Sequence, residues 1–249
     1  MIIGSSLYYF KTLTSTNNVA SDLLRKKELP EGSVIYTDFQ TAGKGQPGKK
    51  WESEAGKNLL VSVILYPLSV SPIEQFLLSM TISLGLCDFI GKYCEGVKIK
   101  WPNDIYVKND KIAGILIENS IIDDRIESSV AGIGLNINQS EFPSGISNPV
   151  SLKLLTDREF DTGKCLKELL SELDSRYKQL LYGDRKHMHS EYLDSLYRYH
   201  EYQVFRTEEG NFTGRIIDIS LSGLLRVEEK NGKIREFTFR EIEFSDSPY

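Results

Sequence analysis

The order of apolar and polar positions predicts a chain that mixes strands and helices. Alternating or continuous apolar runs predict strands at 7–13, 33–39, 59–66, 97–101, 105–107, 112–119 and 126–138. Apolar positions at helical spacing predict helices at 18–27, 71–93, 162–182 and 185–200. A capping box at Ser71-Pro72-Ile73-Glu74 begins the second helix, which is apolar enough to cross the core. Residues 139–150 are rich in turn formers and predict a loop.

The pattern changes after His200, which indicates a second domain. Residues 202–246 contain short strand-like runs separated by turns at Glu209-Gly210-Asn211, Ser222-Gly223 and Asn231-Gly232. Such spacing is typical of a small antiparallel barrel of about five strands. We therefore expect a larger α/β domain over residues 1–200 and a small β-barrel over residues 201–249.

Composition narrows the range of partners. Hydrophobic residues make up 40% and charged residues 26%, as in ordinary globular proteins. The formal net charge of -5 argues against bulk nucleic-acid binding, which needs a broad basic surface. Residues 1–6 lack the features of a signal peptide, and we expect no membrane span, because no window holds about eighteen uncharged apolar residues. A cytoplasmic location follows as an expectation.

The cysteines and histidines do not predict a metal or redox site. Three cysteines without C-x-x-C spacing are neither a disulfide framework nor a zinc site, so we expect reduced, structural thiols at Cys87, Cys94 and Cys165. The histidines all fall in the last predicted helix, where we interpret them as surface residues; they are His187, His189 and His200.

A glycine- and lysine-rich loop at residues 43–50 is the strongest local signal. It fits both G-x-G-x-x-G and G-x-x-x-x-G-K, but both phosphate-binding patterns require a helix directly after the loop. Here a predicted strand follows instead, so the loop joins two strands. Glycines permit a close approach to a ligand, and the lysines add positive charge. Two interpretations stay open: a mobile flap over a phosphorylated ligand, and a solvated basic hairpin tip.

Three further blocks place small or polar residues inside apolar strands. They are Lys100-Trp101-Pro102-Asn103-Asp104, the run 111–116 and the run 132–138. Glycine weakens a strand, which proteins tolerate where a ligand comes close, although β-bulges explain the pattern equally well. Lys111 is interpreted either as an edge-strand charge or as a lysine that holds an anion in a cleft.

Taken together and in order, these blocks resemble those of bacterial biotin–protein ligases. Ser15-Thr16-Asn17 resembles the first biotin-contact element, and residues 40–51 resemble the adenylate-binding loop, usually Q-x-A-G-R-G-R-x-G-R-x-W. Residues 100–104 followed by 111–118 resemble the central motif, and residues 132–136 resemble the final glycine–asparagine element. The resemblance covers about residues 14–138 and, more weakly, the terminal barrel.

The resemblance implies a fold and a reaction. The fold would be a class II synthetase-like α/β domain with a mixed, largely antiparallel sheet, followed by an SH3-like barrel. The enzyme would use ATP and Mg²⁺ to convert biotin to biotinyl-5′-AMP, and would then transfer biotin to a lysine of a biotin carboxyl carrier domain. The resemblance allows a monomer or a homodimer. About fourteen residues precede the first motif, too few for the DNA-binding domain that some members carry.

The resemblance also implies roles for individual residues. Lys111 would lie near the biotin carboxylate and the α-phosphate, with Lys44 and Lys49 as phosphate clamps; these three would be catalytic. Biotin would be bound by Ser15, Thr16, Asn17, Gln40, Gly43, Lys44, Gly45, Gln46, Trp51, Lys111 and Gly114. The nucleotide would be bound by Lys49, Asn103, Asp104 and Asn136. Trp51 and Trp101 are interpreted as supports for the adenine and biotin pockets, with plain packing as the alternative.

Several points stay open at this stage. Asp104 is a candidate for the Mg²⁺ region or for orienting the acceptor lysine. Lys44, Lys49 and Gln46 stand where the family usually has Arg, so we hypothesise that the loop holds the adenylate less firmly, because lysine lacks the bidentate fork of arginine. The rival functions are a lipoate–protein ligase of the same superfamily and a non-catalytic biotin or nucleotide sensor.

Overall fold

A mixed seven-stranded sheet forms the centre of the protein in the computed structural model, which describes residues 1–26, 29–144 and 148–245. The strand order is β1-β2-β3-β7-β6-β5-β4. β1 and β2 are parallel, and all other neighbours are antiparallel. The strands are β1 Ser6–Leu13, β2 Ser33–Gln40, β3 Asn58–Leu65, β4 Val97–Lys100, β5 Asp104–Val107, β6 Asp110–Ile122 and β7 Arg125–Asn136. The expected largely antiparallel mixed sheet is confirmed.

Helices cover the sheet. α1 spans Thr16–Arg25, so it begins two residues before the predicted start, and the predicted end at Lys27 lies outside the described residues. A 3-10 turn at Pro72–Glu74 carries the predicted capping box and leads into α2, Phe76–Gly91. α2 is buried along most of its length, and α4, Thr162–Tyr182, packs on it. The core therefore lies between the sheet and these two helices.

One helical stretch resembles a membrane span in length and composition, although it contains Glu74 and Asp88. The helical stretch Pro72–Gly91 is long and apolar enough to cross a membrane, and its most apolar window is 67% buried inside the protein. A central helix packed on both sides is apolar all round, so it passes the same composition test as a membrane helix. Its burial identifies it as the core helix that the capping box predicted.

The last predicted helix is shorter than expected. α5 spans Arg185–Asp194, and the chain then leaves the helical conformation, with positive φ values at Arg198 and His200. The backbone of 195–197 pairs instead with the outer edge of β4, where Ile99 N donates to Ser195 O at 2.8 Å and Tyr197 N donates to Ile99 O at 2.8 Å. Pairing an open sheet edge outweighs continuation of the helix. A further short helix, α3 at Leu152–Thr156, was not predicted.

A second sheet of five strands follows, in the order β11-β10-β9-β8-β12. Its strands are β8 Tyr202–Thr207, β9 Gly210–Ile219, β10 Leu225–Glu229, β11 Ile234–Phe237 and β12 Glu243–Phe244. The five predicted strands are confirmed. Buried residues of this sheet join the same hydrophobic cluster as those of the first sheet. Trp101 Nε1 donates to Gly223 O at 3.1 Å, which ties the first sheet to the turn between β9 and β10.

The three cysteines are free thiols in or against the core. Burial raises the pKa of Cys87 to about 12 and that of Cys165 to about 11, so both remain protonated at neutral pH.

The interpretation of all three histidines as surface residues was wrong for His189. Its Nε2 lies 2.8 Å from Ile219 O and 3.5 Å from Asp218 Oδ1, so it joins α5 to the second sheet.

Candidate active site

One cavity gathers most of the residues that the sequence singled out. It lies between the start of α1, the loop that follows β2, the start of β5 and the middle of β6 and β7. The predicted site residues along its wall are Ser15, Thr16, Asn17, Gln40, Lys44, Gly45, Gln46, Lys49, Trp51, Asn103, Asp104, Lys111 and Gly114. The tertiary structure therefore brings together segments that are up to a hundred positions apart in the sequence.

The polar end of the cavity is built on the first turn of α1. Gln40, the last residue of β2, accepts hydrogen bonds from Thr16 N at 2.7 Å and from Thr16 Oγ1 at 3.1 Å. Gln40 therefore caps the first turn of α1, whereas the Ser15 side chain makes no cap hydrogen bond. Asn17 is held on both sides, with its Oδ1 accepting from Ser62 Oγ at 2.6 Å and its Nδ2 donating to Glu118 Oε2 at 2.7 Å.

The glycines of β6 and β7 make room for two protein side chains. Gly114 and Gly134 are directly paired across the strands, and a Cβ at Gly134 would lie 2.3 Å from Trp51 Cε2. A Cβ at Gly114 would lie 3.0 Å from Trp51 Cζ3. At Gly132 it would lie 2.2 Å from Asn17 Oδ1. The glycines in these strands therefore seat Trp51 and Asn17, because any side chain would displace them.

The loop after β2 is a folded hairpin, which we call the loop hairpin and define as residues 43–51. Gly45 N donates to Lys49 O at 3.0 Å, and Trp51 N donates to Gly43 O at 3.0 Å. Gly48 forms the turn with a φ of +83°, a conformation that favours glycine. A Cβ on Gly43 would lie 2.3 Å from Trp51 O, so glycine is also needed where the two arms meet.

The loop hairpin contacts the sheet through side chains. Gln46 Nε2 donates to Asn103 Oδ1 at 3.1 Å, and Lys44 Nζ lies 3.4 Å from Glu118 Oε1. The hairpin thus places lysines over the cavity at 44, 49 and 50. The phosphate-flap and hairpin-tip interpretations are not exclusive, because the hairpin tip itself covers the cavity.

Lys111 lines the cavity next to Asp104. Its Nζ lies 2.7 Å from Asp104 Oδ1 and 5.9 Å from the centre of the Trp51 ring. Its backbone is fixed in both directions, since Lys111 N donates to Asn148 O at 2.7 Å and Val150 N donates to Lys111 O at 2.9 Å. Both charged side chains are about three-quarters buried, with 26% and 24% of their surface exposed. Lys111 therefore points into the cavity and is not a free edge-strand charge.

Three predicted residues lie away from the cavity wall. Gly43 is at the closed base of the loop hairpin. Asn136 is 4% exposed and donates to Val150 O at 3.0 Å, so it holds the segment that fixes the backbone of Lys111. Trp101 is 5% exposed and packs in the core beneath the second sheet. Their predicted contacts with ligand stay predictions, while their structural contacts are clear.

The structure adds residues that sequence reasoning had not assigned. Lys50, Leu116 and Ile133 line the cavity, and Glu118 binds both Asn17 and Lys44. The sequence pattern could have identified two of these residues, Leu116 and Glu118. Side chains in a strand alternate faces, so Leu116 and Glu118 share the face of Gly114.

The chemistry of the cavity follows from its polarity. Four lysines at 44, 49, 50 and 111 favour an anionic ligand, and the side chains at the start of α1 offer neutral hydrogen-bonding groups. Trp51 Nε1 is buried and has no hydrogen-bond partner among the described residues. An unpaired buried donor costs about 1–3 kcal/mol, so it favours a ligand that brings an acceptor.

Comparison with known proteins agrees with this chemistry. The sequence model of the biotin/lipoate A/B protein ligase family matches residues 9–138, just over half of the chain. The bifunctional ligase/repressor BirA of Bacillus subtilis is 29% identical over 97% of this chain and 75% of that protein. A biotin–[acetyl-CoA-carboxylase] ligase of Paracoccus denitrificans is 29% identical over 68% of this chain and 72% of that protein.

A solved structure of a biotin protein ligase matches almost the whole chain. The biotin protein ligase from Aquifex aeolicus in complex with biotin and ATP superposes with a TM-score of 0.79 at 25% sequence identity. The match covers 98% of this chain and all of that one. Both sheets and their connections therefore have a counterpart in that enzyme.

Proposed function

The chain belongs to the biotin/lipoate A/B protein ligase family, and from that premise we propose that it is an ATP-dependent biotin–protein ligase. The observation that carries the proposal is the placement of Lys111. It lies 2.7 Å from Asp104, in a cavity that also contains the loop lysines and the polar start of α1. The Aquifex ligase with the same fold was solved with biotin and ATP, the two substrates that such a cavity suits.

In the first step, a biotin carboxylate oxygen attacks the α-phosphorus of ATP. The bond from that phosphorus to the bridging oxygen breaks, and pyrophosphate leaves with the electron pair. Two anions must approach each other and charge builds on the phosphoryl oxygens, so cations are needed to offset the repulsion. We assign this role to Lys111 and to Lys44 and Lys49 on the loop hairpin, all of which line the cavity.

In the second step, the neutral amine of an acceptor lysine attacks the acyl carbon of biotinyl-5′-AMP. The bond from that carbon to the phosphate oxygen breaks, AMP leaves with the electron pair, and the amine gives up a proton. Asp104 holds Lys111 in place and is the one carboxylate among the described residues that line the cavity, so it is suited to orient the incoming amine.

Biotin recognition would fall to the neutral polar groups. The ureido ring of biotin needs both donors and acceptors, and Ser15, Thr16 and Gln40 supply them at the start of α1. Such pairing discriminates strongly against analogues that lack these groups, because the protein atoms are then left unsatisfied. Trp51 would stack on one ligand ring and offer its unpaired Nε1.

We propose that Mg²⁺ arrives with ATP. The described residues contain no group of three or more His, Cys, Asp or Glu that could hold a metal by themselves. Magnesium ions in nucleotide sites are usually held by one or two carboxylates together with the phosphates, and Asp104 is one such carboxylate. When bound, the ion would neutralise phosphate charge.

The partner would be the biotin carboxyl carrier domain of a carboxylase, and the reaction would take place in the cytoplasm. Sheet extension is a route to a homodimer. The outer edge of β4 is covered by residues 195–197, whereas β1 is the opposite edge of the sheet. We propose that a homodimer would form along the β1 edge. We also propose residue 200 as the boundary between two domains.

Neither rival function is favoured. The lipoate ligase would require the cavity to take a different acid, whereas the solved ligase was captured with biotin and ATP. A sensor would not need three lysines around a phosphate. The test is incorporation of labelled biotin into a carrier domain with ATP and Mg²⁺, compared with lipoate, in wild type and in Lys111→Ala.

We expect transfer of biotin by wild type and loss of adenylate formation in Lys111→Ala, with biotin binding weakened but still measurable. Pyrophosphate release with lipoate in place of biotin would support the rival ligase. Biotin binding by wild type without pyrophosphate release would support the sensor. Transfer by Lys111→Ala at the wild-type rate would move the catalytic role to the loop hairpin.

A further inference from the structure

A groove adjoins the cavity on the side of the second sheet, and we call it the side groove. The loop hairpin, the start of α2, residues 101–103 and the turn at 222–223 form its walls, with Phe239 among its lining residues. The side groove and the cavity share seven lining residues, which are Lys44, Gly45, Gln46, Lys49, Asn103, Ile115 and Leu116. A molecule in the side groove therefore borders the place where the adenylate would form.

The far wall of the side groove is apolar and fixed. Phe76 and Trp101 are 9% and 5% exposed. Trp101 is held by its hydrogen bond to Gly223, and a Cβ on Gly223 would lie 2.7 Å from the Phe76 ring. Phe239 differs from these residues, because 41% of its surface is exposed. An exposed aromatic ring beside a rigid apolar wall is the composition of a protein-binding anchor point.

Glu118 supplies the carboxylate of the side groove, whose lining also includes Lys44 and Lys49. It is the one carboxylate among the described residues that line the side groove. Its two oxygens are directed to Asn17 at 2.7 Å and to Lys44 at 3.4 Å, and 40% of its side chain is exposed. Since Asn17 and Lys44 also line the cavity, Glu118 lies where the side groove meets the cavity. A carboxylate in this position attracts a cation that approaches along the side groove.

We propose that the side groove receives the lysine-bearing segment of the acceptor protein, with Phe239 against the acceptor surface and Glu118 facing the acceptor ammonium. This inference rests on the proposed ligase function. The reaction has a macromolecular second substrate whose lysine must reach the cavity while the small substrates fill it. The side groove is continuous with the cavity, presents an exposed aromatic ring and carries a carboxylate for the lysine.

The lysine beside Glu118 also affects the charge state of the incoming amine. Glu118 attracts the charged amine, whereas the reactive form is the neutral amine. Lys44 lies beside Glu118, and a nearby cation disfavours the charged form of an incoming amine. The amine would thus be attracted at the junction and lose its proton to water as it passes the lysines.

Docking of the carrier domain and formation of the adenylate can be measured separately. In Phe239→Ser we expect the KM for the carrier domain to rise by about 10-fold, as for loss of an aromatic anchor worth about 1.4 kcal/mol. Adenylate formation, measured by ATP–pyrophosphate exchange with biotin, stays within about twofold of wild type because Phe239 does not line the cavity. Release of the biotinyl group to hydroxylamine, a small amine that needs no docking surface, is also unchanged.

Matched variants complete the design. Phe239→Leu keeps an apolar side chain and is expected to restore most of the lost affinity for the carrier domain. Ile234→Ser is the control, because Ile234 in β11, the strand before Phe239, is 57% exposed but does not line the side groove. Glu118→Gln, which keeps the shape, is expected to raise the carrier KM more at low salt than at high salt.

Distinct outcomes overturn the proposal. An unchanged carrier KM in Phe239→Ser with a normal melting curve would place acceptor docking elsewhere. A raised KM for ATP with an unchanged carrier KM would show that the side groove takes nucleotide. Absence of pyrophosphate exchange in wild type would instead contradict the ligase function itself, so the two failures are distinguishable.

Discussion

Two of the segments that supply polar groups to the cavity are held in different ways. The loop hairpin closes on itself through backbone hydrogen bonds and meets the sheet through the contacts of Gln46, Lys44 and Trp51. Residues 100–104, which we call the strand-end block, are paired and packed on both sides. The two segments therefore differ in how firmly they are held.

The strand-end block is anchored at successive residues. Lys100 Nζ lies 4.8 Å from the Tyr106 ring centre and 5.1 Å from that of Phe244. Trp101 is buried against the second sheet. Asn103 exchanges two hydrogen bonds with Ile115, at 2.7 and 2.8 Å. The carboxylate that holds Lys111 is thus set by packing that reaches into both sheets.

The loop hairpin, in contrast, exposes most of its residues, including the lysines at 44, 49 and 50. Surface ion pairs such as Lys44–Glu118, with 42% and 40% of the side chains exposed, contribute little to stability. The strand-end block can therefore orient Lys111 in advance, while the loop hairpin is free to adjust to a phosphate. Four measurements test this division.

The largest effect is expected in the strand-end block. Trp101→Ala should lower the free energy of unfolding by about 3–5 kcal/mol, because it removes a buried aromatic ring and leaves a cavity. Gln46→Ala in the loop hairpin should lower it by less than about 0.5 kcal/mol. Urea denaturation of both variants gives the comparison. Equal losses would show that the two segments are held equally firmly.

The next effect concerns the contact between Trp51, at the end of the loop hairpin, and Gly134 of β7. Gly134→Ala places a Cβ 2.3 Å from the Trp51 ring and forces the end of the loop hairpin to move. We expect adenylate formation to fall by roughly 10²-fold, since small displacements of positioning groups cost about that much. Gly91→Ala is the control, because its Cβ meets nothing within 4 Å. Unchanged pyrophosphate exchange in Gly134→Ala would mean that Trp51 does not position a substrate.

A smaller effect is expected at the ion pair of the strand-end block. Asp104→Asn keeps the shape of the side chain but removes the charge that holds Lys111. We expect kcat for adenylate formation to fall by about 10-fold, with a smaller change in the KM for biotin. Single-turnover kinetics measure the chemical step. A change confined to KM would show that Asp104 binds a substrate but does not orient Lys111.

The smallest effect is expected at the tip of the loop hairpin. Lys49 is exposed, so Lys49→Gln should raise the KM for ATP by about threefold at low salt. The difference from wild type should shrink near 0.5 M salt, as expected of a screened charge at roughly 4 Å Debye length. Steady-state kinetics at two ionic strengths test this. A salt-independent difference would indicate a specific, desolvated contact.

Local signals in the sequence were sufficient for much of the fold. The periodicity of 162–182 gave α4 with the observed bounds, and the alternation of 126–138 gave β7 to within two residues. The Ser71–Glu74 capping box marked the turn that leads into α2. These features depend on neighbours a few positions apart, so the sequence determines them directly.

The sequence also determined the family. The ordered blocks at 15–17, 40–51, 100–118 and 132–136 carried the resemblance that the comparisons bear out. They identified residues that the structure places around one cavity, although they did not tell a cavity residue from one that supports it. Asn136 and Trp101 carry the same motif signal as Lys111, but their side chains hold the backbone and the second sheet.

Only the tertiary structure decided the contacts that depend on distant segments. The glycines of β6 and β7 predicted a close approach, but the approaching groups, Trp51 and Asn17, come from segments some 60 to 115 residues away and follow from the strand order. Residues 195–200 have a helical pattern, yet 195–197 pair with the open edge of β4 and His200 N donates to Ile216 O of β9. Periodicity specifies which face is buried, whereas the partner at that face is set by sheet order, which no local pattern contains.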